Sequence, residues 1–405
     1  MSRPRIPAAA WWLGAVSFVN DAASEMVLPL LPALMVGSLG LPAASIGAIE
    51  GVASAVASGL KLAFGRLGDR TGKHRALMVG GYAVSNLVRP LMALATGGLG
   101  VAVLRVADRV GKGLRTAPRD ALLAASTPRE AQAAAFSVHR GLDHAGTILG
   151  AAAAALLLRY GGFSPAEVFG WSAVPGVLVV VLAILAVRSP ALVAPPPAPV
   201  AVVPDPRPGR GFSPLLGIIA LSRLGLASEM FLLLLAGRFV EPWQVPLLWC
   251  LLHLVKATAS FLVVPLGTQL SARSLVALGW AAHSVVFLGF AGAAVRWHGA
   301  FVEGAGSVPS AAVVAVVVLF AAWGLQAGLS EGAEKSLVAA ASPDNERGTA
   351  FGAYHMVTGL MALPASAGFG ALWDATSPGV AFAAGAGTAG LAALLLWLWP
   401  GAVRR

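Results

Sequence analysis

The sequence is poor in charge. Of its 405 residues only 11% are Asp, Glu, Lys or Arg, while 57% are hydrophobic and the mean hydropathy is +0.79. Soluble domains carry roughly 25% charged residues, so a water-soluble globule of this length would lack the surface to solvate itself. The composition fits a lipid bilayer as solvent. Cysteine is nearly absent, with Cys250 alone. That excludes an internal disulfide and any site built from several thiols. No G-x-x-x-x-G-K-[ST] loop is present to hold ATP phosphates, and no H-E-x-x-H pair to hold zinc. Alternation with period two is also missing from the apolar runs, which are long and rich in Ala, Leu and Gly. Strands are therefore not expected.

What the chain has in quantity is apolar stretches of membrane length. A spanning helix needs about 20 apolar residues, and twelve such stretches can be marked, near 10–37, 44–64, 76–96, 98–118, 134–158, 166–187, 214–237, 243–266, 275–295, 310–340, 349–372 and 378–399. The expected fold is an all-α integral membrane protein. The first stretch follows Arg3 and Arg5, as in a signal peptide, but it contains Asn20, Asp21 and Glu25 and runs on through Pro29 and Pro32. It reads as an uncleaved first helix. Residues 188–213 are Pro-rich and form the one linker. This divides the chain into a six-helix bundle over 1–187, the linker, and a second six-helix bundle over 214–405.

Basic residues exceed acidic ones by 28 to 18, for a net charge of +10. In a soluble protein that excess would suggest nucleic acid; in a membrane protein its placement decides. With the N-terminus cytoplasmic, sixteen Lys and Arg fall in inside segments, among them Arg66, Arg70, Lys73 and Arg75. Only Arg159, Arg238 and Arg296 fall outside. This bias follows the positive-inside rule, putting both termini in the cytoplasm and removing any need for a nucleic-acid partner.

The two halves echo each other. Ala23-Ser24-Glu25-Met26 recurs as Ala227-Ser228-Glu229-Met230, and Leu122 to Pro128 aligns with Leu337 to Pro343. The latter register brings Phe136 onto Phe351 and Arg119-Asp120 onto Glu334-Lys335, with charges exchanged. Related six-helix bundles around a midplane site are a transporter architecture.

Charges also occur where the bilayer penalises them. Nine bases (Lys61, Arg89, Arg105, Arg109, Lys112, Arg140, Arg223, Lys256, Lys335) and eight acids (Asp21, Glu25, Glu50, Asp108, Asp143, Glu229, Glu331, Glu334) fall within the spans. At about 3 kcal/mol each at a helix centre, leaving all of them unpaired would cost on the order of 50 kcal/mol. They must pair, line a wet cavity or sit near an interface. Arg105, Asp108, Arg109, Lys112, Arg115 and Arg119 share one helical face. Asp21 and Glu25, His139 and Asp143, and Glu331 and Lys335 each stand one turn apart. A carboxylate whose basic partner comes and goes between conformations can load and release a proton. Asp21, Glu25, Glu229 and Asp143 are the candidates for this, and their spacing is equally compatible with fixed structural charges.

The loop after the second span, Gly65-Arg66-Leu67-Gly68-Asp69-Arg70-Thr71-Gly72-Lys73-His74-Arg75, closely resembles the G-x-L-x-D-R-x-G-R-K motif of the major facilitator superfamily. The resemblance implies the fold of that family and a conformational latch formed by Gly65, Asp69, Arg70, Gly72 and Lys73. Arg109-Val110-Gly111-Lys112-Gly113 is similar to the family's R-x-x-Q-G on the fourth helix, with Lys112 in place of Gln. It implies a role for Arg109 in solute binding or proton coupling. Gly141, Gly146 and Gly150 match the glycine-rich antiporter motif in part, without its Gly-Pro. The second-half loop copy, Gly267 to Arg273, is eroded, with Ser271 in the place of Asp69.

Together these features lead to an expected secondary active transporter working by alternating access in the cytoplasmic membrane. It would act as a monomer, without a cofactor or metal, and be driven by protons or sodium, with export slightly favoured. The solute-cavity candidates are Arg89, Arg105, Arg109, Lys112, Arg140, Arg223, Lys256 and Glu331. Their basic excess leans toward a small organic anion or zwitterion, and Trp11, Trp12, Phe18 and Trp323 offer apolar contacts for an amphiphile. Two alternatives are a lipid or lipid-conjugate flippase and an intramembrane enzyme. The enzyme finds little support in seven scattered histidines.

Overall fold

The computed structural model describes residues 6–192, 212–266, 270–297, 308–341 and 347–399, and these are helical without a strand. Part of the linker (193–211), Gly267 to Gln269 of the eroded loop copy, and Ser342 and Pro343 of the repeat lie outside the described residues. Every apolar stretch lies on helix. The first is α1 (Ala8–Glu25), continued by a 3-10 turn (Leu28–Leu30) and a π segment (Ala33–Ser38). Then come α2 (Ala43–Thr71), α3 (His74–Leu91), α4 (Gly98–Ala125) and α5 (Arg129–Tyr160). The sixth stretch is α6 (Pro165–Trp171) with α7 (Ala173–Arg188), and the seventh is α8 (Phe212–Leu224) with α9 (Met230–Ala236). The remainder are α10 (Val245–Leu266), α11 (Ala272–Arg296), α12 (Ser310–Ala340), α13 (Arg347–Ala375) and α14 (Pro378–Leu398).

Among the described residues, eight helices are long and apolar enough to cross a membrane. Three of the four stretches outside that set differ for physical reasons; the other, on α10, is apolar through Leu266. In the first, Pro29 and Pro32 cannot donate to the helical ladder, and the backbone passes into 3-10 and π turns. The seventh is broken between Leu224 and Met230. The fourth carries the charged face of α4. Both copies of the Ala-Ser-Glu-Met repeat therefore stand at a break: Glu25 ends α1, and Glu229 immediately precedes α9.

The chain forms two compact units, Met1–Leu39 with Val56–Val202, and Gly40–Ala55 with Val203–Arg405. In the first, α1 packs on α5 and α7, and α3 packs on α4. The buried core includes Leu13, Val16, Met78, Tyr82, Leu122 and Val179. In the second, α11 packs on α14 and α12, and α10 packs on α12. Its core includes Ile219, Val276, Trp280, Leu337 and Tyr354.

Small residues set how closely these helices approach. A Cβ on Gly324 or Gly328 would strike the carbonyls of Leu252 and Lys256, so this G-x-x-x-G brings α12 backbone-close to α10. Gly146 and Gly150 of the partial antiporter motif do the same for α5 against the carbonyls of Phe18 and Ala22 on α1. In the second unit the Asp374 carboxylate accepts the N–H groups of Ala43 (3.1 Å) and Ala44 (2.7 Å), capping the start of α2.

Candidate functional site

In the first unit several of the intramembrane charges join two networks. Asp108 of α4 accepts from Arg89 Nε of α3 at 3.0 Å and from Arg105 Nη1 at 3.3 Å. Arg89 Nη1 donates further to the Asn20 side chain at 3.2 Å and to Asn86 Oδ1 at 3.1 Å, tying α1, α3 and α4 together. All three charged groups are buried. Arg115, which the spacing put on the same face of α4, donates to Ser85 at 2.6 Å and lies over the Tyr82 ring.

The second network centres on Ser17. Its hydroxyl meets Tyr82 at 3.1 Å, His139 Nε2 at 3.0 Å and Arg119 Nη1 at 3.1 Å. His139 Nδ1 in turn stands 3.5 Å from Asp143 Oδ2, the one-turn pair read from the sequence. Arg119 also pairs with Asp120 at 2.9 Å. Asp21 accepts from Asn20 Nδ2 at 2.9 Å, and Glu25 accepts from Ser24 at 3.1 Å. Arg109 and Lys112 are half-buried on α4, and Arg140 is exposed on α5.

At the turn between α2 and α3, Gly72 has φ +66°, a conformation that glycine adopts without strain. Asp69 and Lys73 are exposed, whereas His74 is buried, with Nε2 3.6 Å from Asp69 Oδ1. A Cβ at Gly65 would come within 3.3 Å of Ala117 on α4. In the eroded copy, Ser271 caps α11 by accepting the Ser274 N–H at 3.1 Å.

The second unit contains a cavity of about 220 Å³. Arg223, Lys256, Glu229 and Glu331, all expected from the sequence, line it together with Glu334. The GxxxG contact of α12 sets Lys256 Nζ 3.2 Å from Glu331. Arg223 pairs with Glu334 across α8 and α12, and Tyr354 of α13 donates to the same carboxylate at 2.8 Å. Glu229, at the break between α8 and α9, accepts from the indole N–H of Trp323 at 3.0 Å. Trp323 is stacked on Phe287 at 5.1 Å, and the His283 ring meets it edge-on at 4.9 Å, so the apolar wall is itself rigidly packed.

Sequence reasoning did not single out His283, Gln326, Ser222, Ser330 or Trp280 as cavity residues, although all five line it. The spacing of α12 held a partial signal: Trp323, Gln326, Ser330, Glu331 and Glu334 follow one another at steps of three, four, one and three along one face. No metal-sized group of His, Cys, Asp and Glu occurs among the described residues.

Comparison with known proteins agrees with this architecture. An uncharacterised MFS-type transporter of Methanocaldococcus jannaschii is 30% identical over 397 residues, covering 95% of this chain and 93% of its own. An uncharacterised protein of Mycobacterium tuberculosis is 32% identical over 176 residues, 42% of each chain. A solved nucleoside transporter superposes with a TM-score of 0.76 at 13% identity, covering 96% of this chain and 99% of that one. A POT family transporter in complex with 5-aminolevulinic acid superposes with a TM-score of 0.80 at 11% identity, covering 97% and 96%. These last two likenesses speak for the fold. The sequence profile of the Major Facilitator Superfamily matches residues 13–324. A profile running across most of the chain, and a relative similar along nearly all of it, agree with the loop at Gly65 to Arg75: this protein belongs to the major facilitator superfamily and is a multi-pass membrane transporter, not an enzyme.

Proposed function

We propose that the protein is a secondary active transporter that moves a small organic solute by alternating access, driven by the proton gradient. It would sit in the cytoplasmic membrane with both termini inside, and export is the favoured direction. The observation that carries this reading is the cavity of the second unit. It gathers three carboxylates, two cations and an aromatic wall in a chain whose solvent is lipid. Charges inside a membrane protein are costly and are retained where a solute or ion must pass. Glu229 and Glu25, each at a helix break within a repeated tetrapeptide, are the leading proton carriers. Asp143 and Asp21 are secondary candidates. The loop from Gly65 to Lys73 would act as the conformational latch, a role supported by its tight turn at Gly72.

The basic excess within the first-unit spans favours a solute carrying negative charge, as an anion or a zwitterion, and the tryptophans of the cavity favour an apolar portion. Proton flux in proteoliposomes holding an internal pH dye tests the proposal, with organic acids, zwitterions, amines and lipid conjugates added in turn. Solute-dependent proton movement that is lost in Glu229→Gln or Glu25→Gln supports it. Lipid scrambling without proton movement would replace it with the flippase reading.

A further inference from the structure

We infer that the cavity of the second unit takes hold of its solute by an ammonium group, and not by a carboxylate. This rests on the reading of that cavity as the solute site, and narrows it.

The first ground is which polar atoms lack a partner. Glu334 and His283 are 3% and 5% exposed, and both line the cavity. Glu334 uses Oε2 for Arg223 and Tyr354, which leaves Oε1 buried without a hydrogen bond. His283 is bonded to the Gly225 backbone, and Nε2 is the ring nitrogen left without a partner. A ring whose Nδ1–H donates to a carbonyl presents Nε2 as an acceptor. Against these two orphan acceptors stands one orphan donor in the same cavity, Arg223 Nε.

Charge points the same way. Glu229, Glu331 and Glu334 outnumber Arg223 and Lys256. Arg223 pairs with Glu334 and Lys256 with Glu331. The carboxylate of Glu229 has the neutral indole N–H of Trp323 as its partner. A cationic head would balance it. An ammonium offers three donors and no acceptor, the complement of two orphan acceptors beside an uncompensated carboxylate. The rings of Trp323 and Trp280 on the same wall add attraction for a cation. A carboxylate head would instead face three others, with Arg223 Nε–H as its one orphan donor.

Size limits the rest of the solute. The cavity has room for about seven waters at roughly 30 Å³ each. It is smaller than the roughly 300 Å³ at which pockets for drug-sized ligands begin. A compact amine or amino-acid zwitterion with one ring fits these limits.

The test uses the full-length protein purified in detergent and three probes of one skeleton: phenethylamine, phenylalanine and 3-phenylpropionate. Binding is read by calorimetry and by the shift in melting temperature. Phenethylamine and phenylalanine should both bind, and 3-phenylpropionate should be weaker than either by about tenfold or more. His283→Phe retains the ring stacking and removes the acceptor; Glu229→Gln retains an acceptor for the indole and removes the charge. Each should weaken phenethylamine by about tenfold.

Preferential binding of 3-phenylpropionate, phenethylamine binding indifferent to both variants, or no binding of any probe at millimolar concentration would each overturn the inference. The proteoliposome assay keeps the two readings apart. Proton flux evoked by an organic anion leaves the transporter reading standing while the ammonium fails. Absence of both binding and flux removes both.

Discussion

Arg223 on α8 pairs with Glu334 on α12, and that carboxylate also accepts the Tyr354 hydroxyl of α13 at 2.8 Å. In the register of the duplicated halves, Glu334 corresponds to Arg119 and Tyr354 to His139. Arg119 and His139 likewise converge, on Ser17 of α1. The same meeting of the first, fourth and fifth segments thus recurs in the seventh, tenth and eleventh. One copy is closed by a hydroxyl and the other by an ion pair.

Breaking that ion pair from one side should be costlier than removing it whole. Glu334→Gln leaves a mostly buried guanidinium without its charge partner, which costs about 3–5 kcal/mol in buried pairs. The lower end is expected here, because the Arg223 side chain remains 21% exposed. Arg223→Met combined with Glu334→Met should recover most of the lost stability and still fail to bind solute. Melting of the detergent-purified variants measures the first outcome, and calorimetry the second.

Arg89 and Arg105 were expected to face a solute, and both are bound to Asp108. Asp108→Asn should therefore act on stability, with a loss of about 3 kcal/mol or more. It would be seen as poor yield and early melting in the absence of any solute. A variant that melts normally but loses solute affinity would return Arg89 and Arg105 to the solute path.

For Glu229→Gln and Glu25→Gln, the expected separation lies within transport itself. Removing the proton carrier should abolish accumulation against a gradient and spare exchange at saturating solute. Measured side by side in proteoliposomes, the variant that loses accumulation identifies which of the two repeated acids carries the proton. Retained accumulation in both would pass the role to Asp21 or Asp143.

Asp69→Asn should reduce turnover with membrane insertion intact, since Asp69 is exposed and contributes little to packing. Gly72→Ala, forced into φ +66°, should add a backbone cost of about 1 kcal/mol and slow transport as well. Uptake rates normalised to the amount of inserted protein check both. Normal turnover in Asp69→Asn would dismiss the latch.

Much of the architecture was legible because it is encoded locally. A run of about 20 apolar residues must become a helix in lipid, where the backbone has no other way to satisfy its polar groups. The break at Pro29 and Pro32 was missed, since the apolar run continues across them although proline cannot donate to the helical ladder. Reading repeats in order singled out two acids, Glu25 and Glu229, which the structure then sets at helix breaks. The charged face of α4 followed from steps of three and four.

Partner choice was not legible. Arg223 meets Glu334 across 111 residues of sequence, and Lys256 meets Glu331 because Gly324 and Gly328 let α12 lie against the backbone of α10. Nothing in the spacing of a single helix distinguishes a charge destined for a neighbouring helix from one destined for a solute. His283 shows the same limit, since an isolated histidine in an apolar stretch reads as core until the cavity beside it is seen. The sequence by itself determined the solvent, the number of apolar segments and the repeated strings, since each depends on composition or on residues a few positions apart. The tertiary structure decided which charges neutralise one another and which buried polar atoms of cavity residues lack a partner, because those outcomes depend on the packing of helices that are distant in the chain.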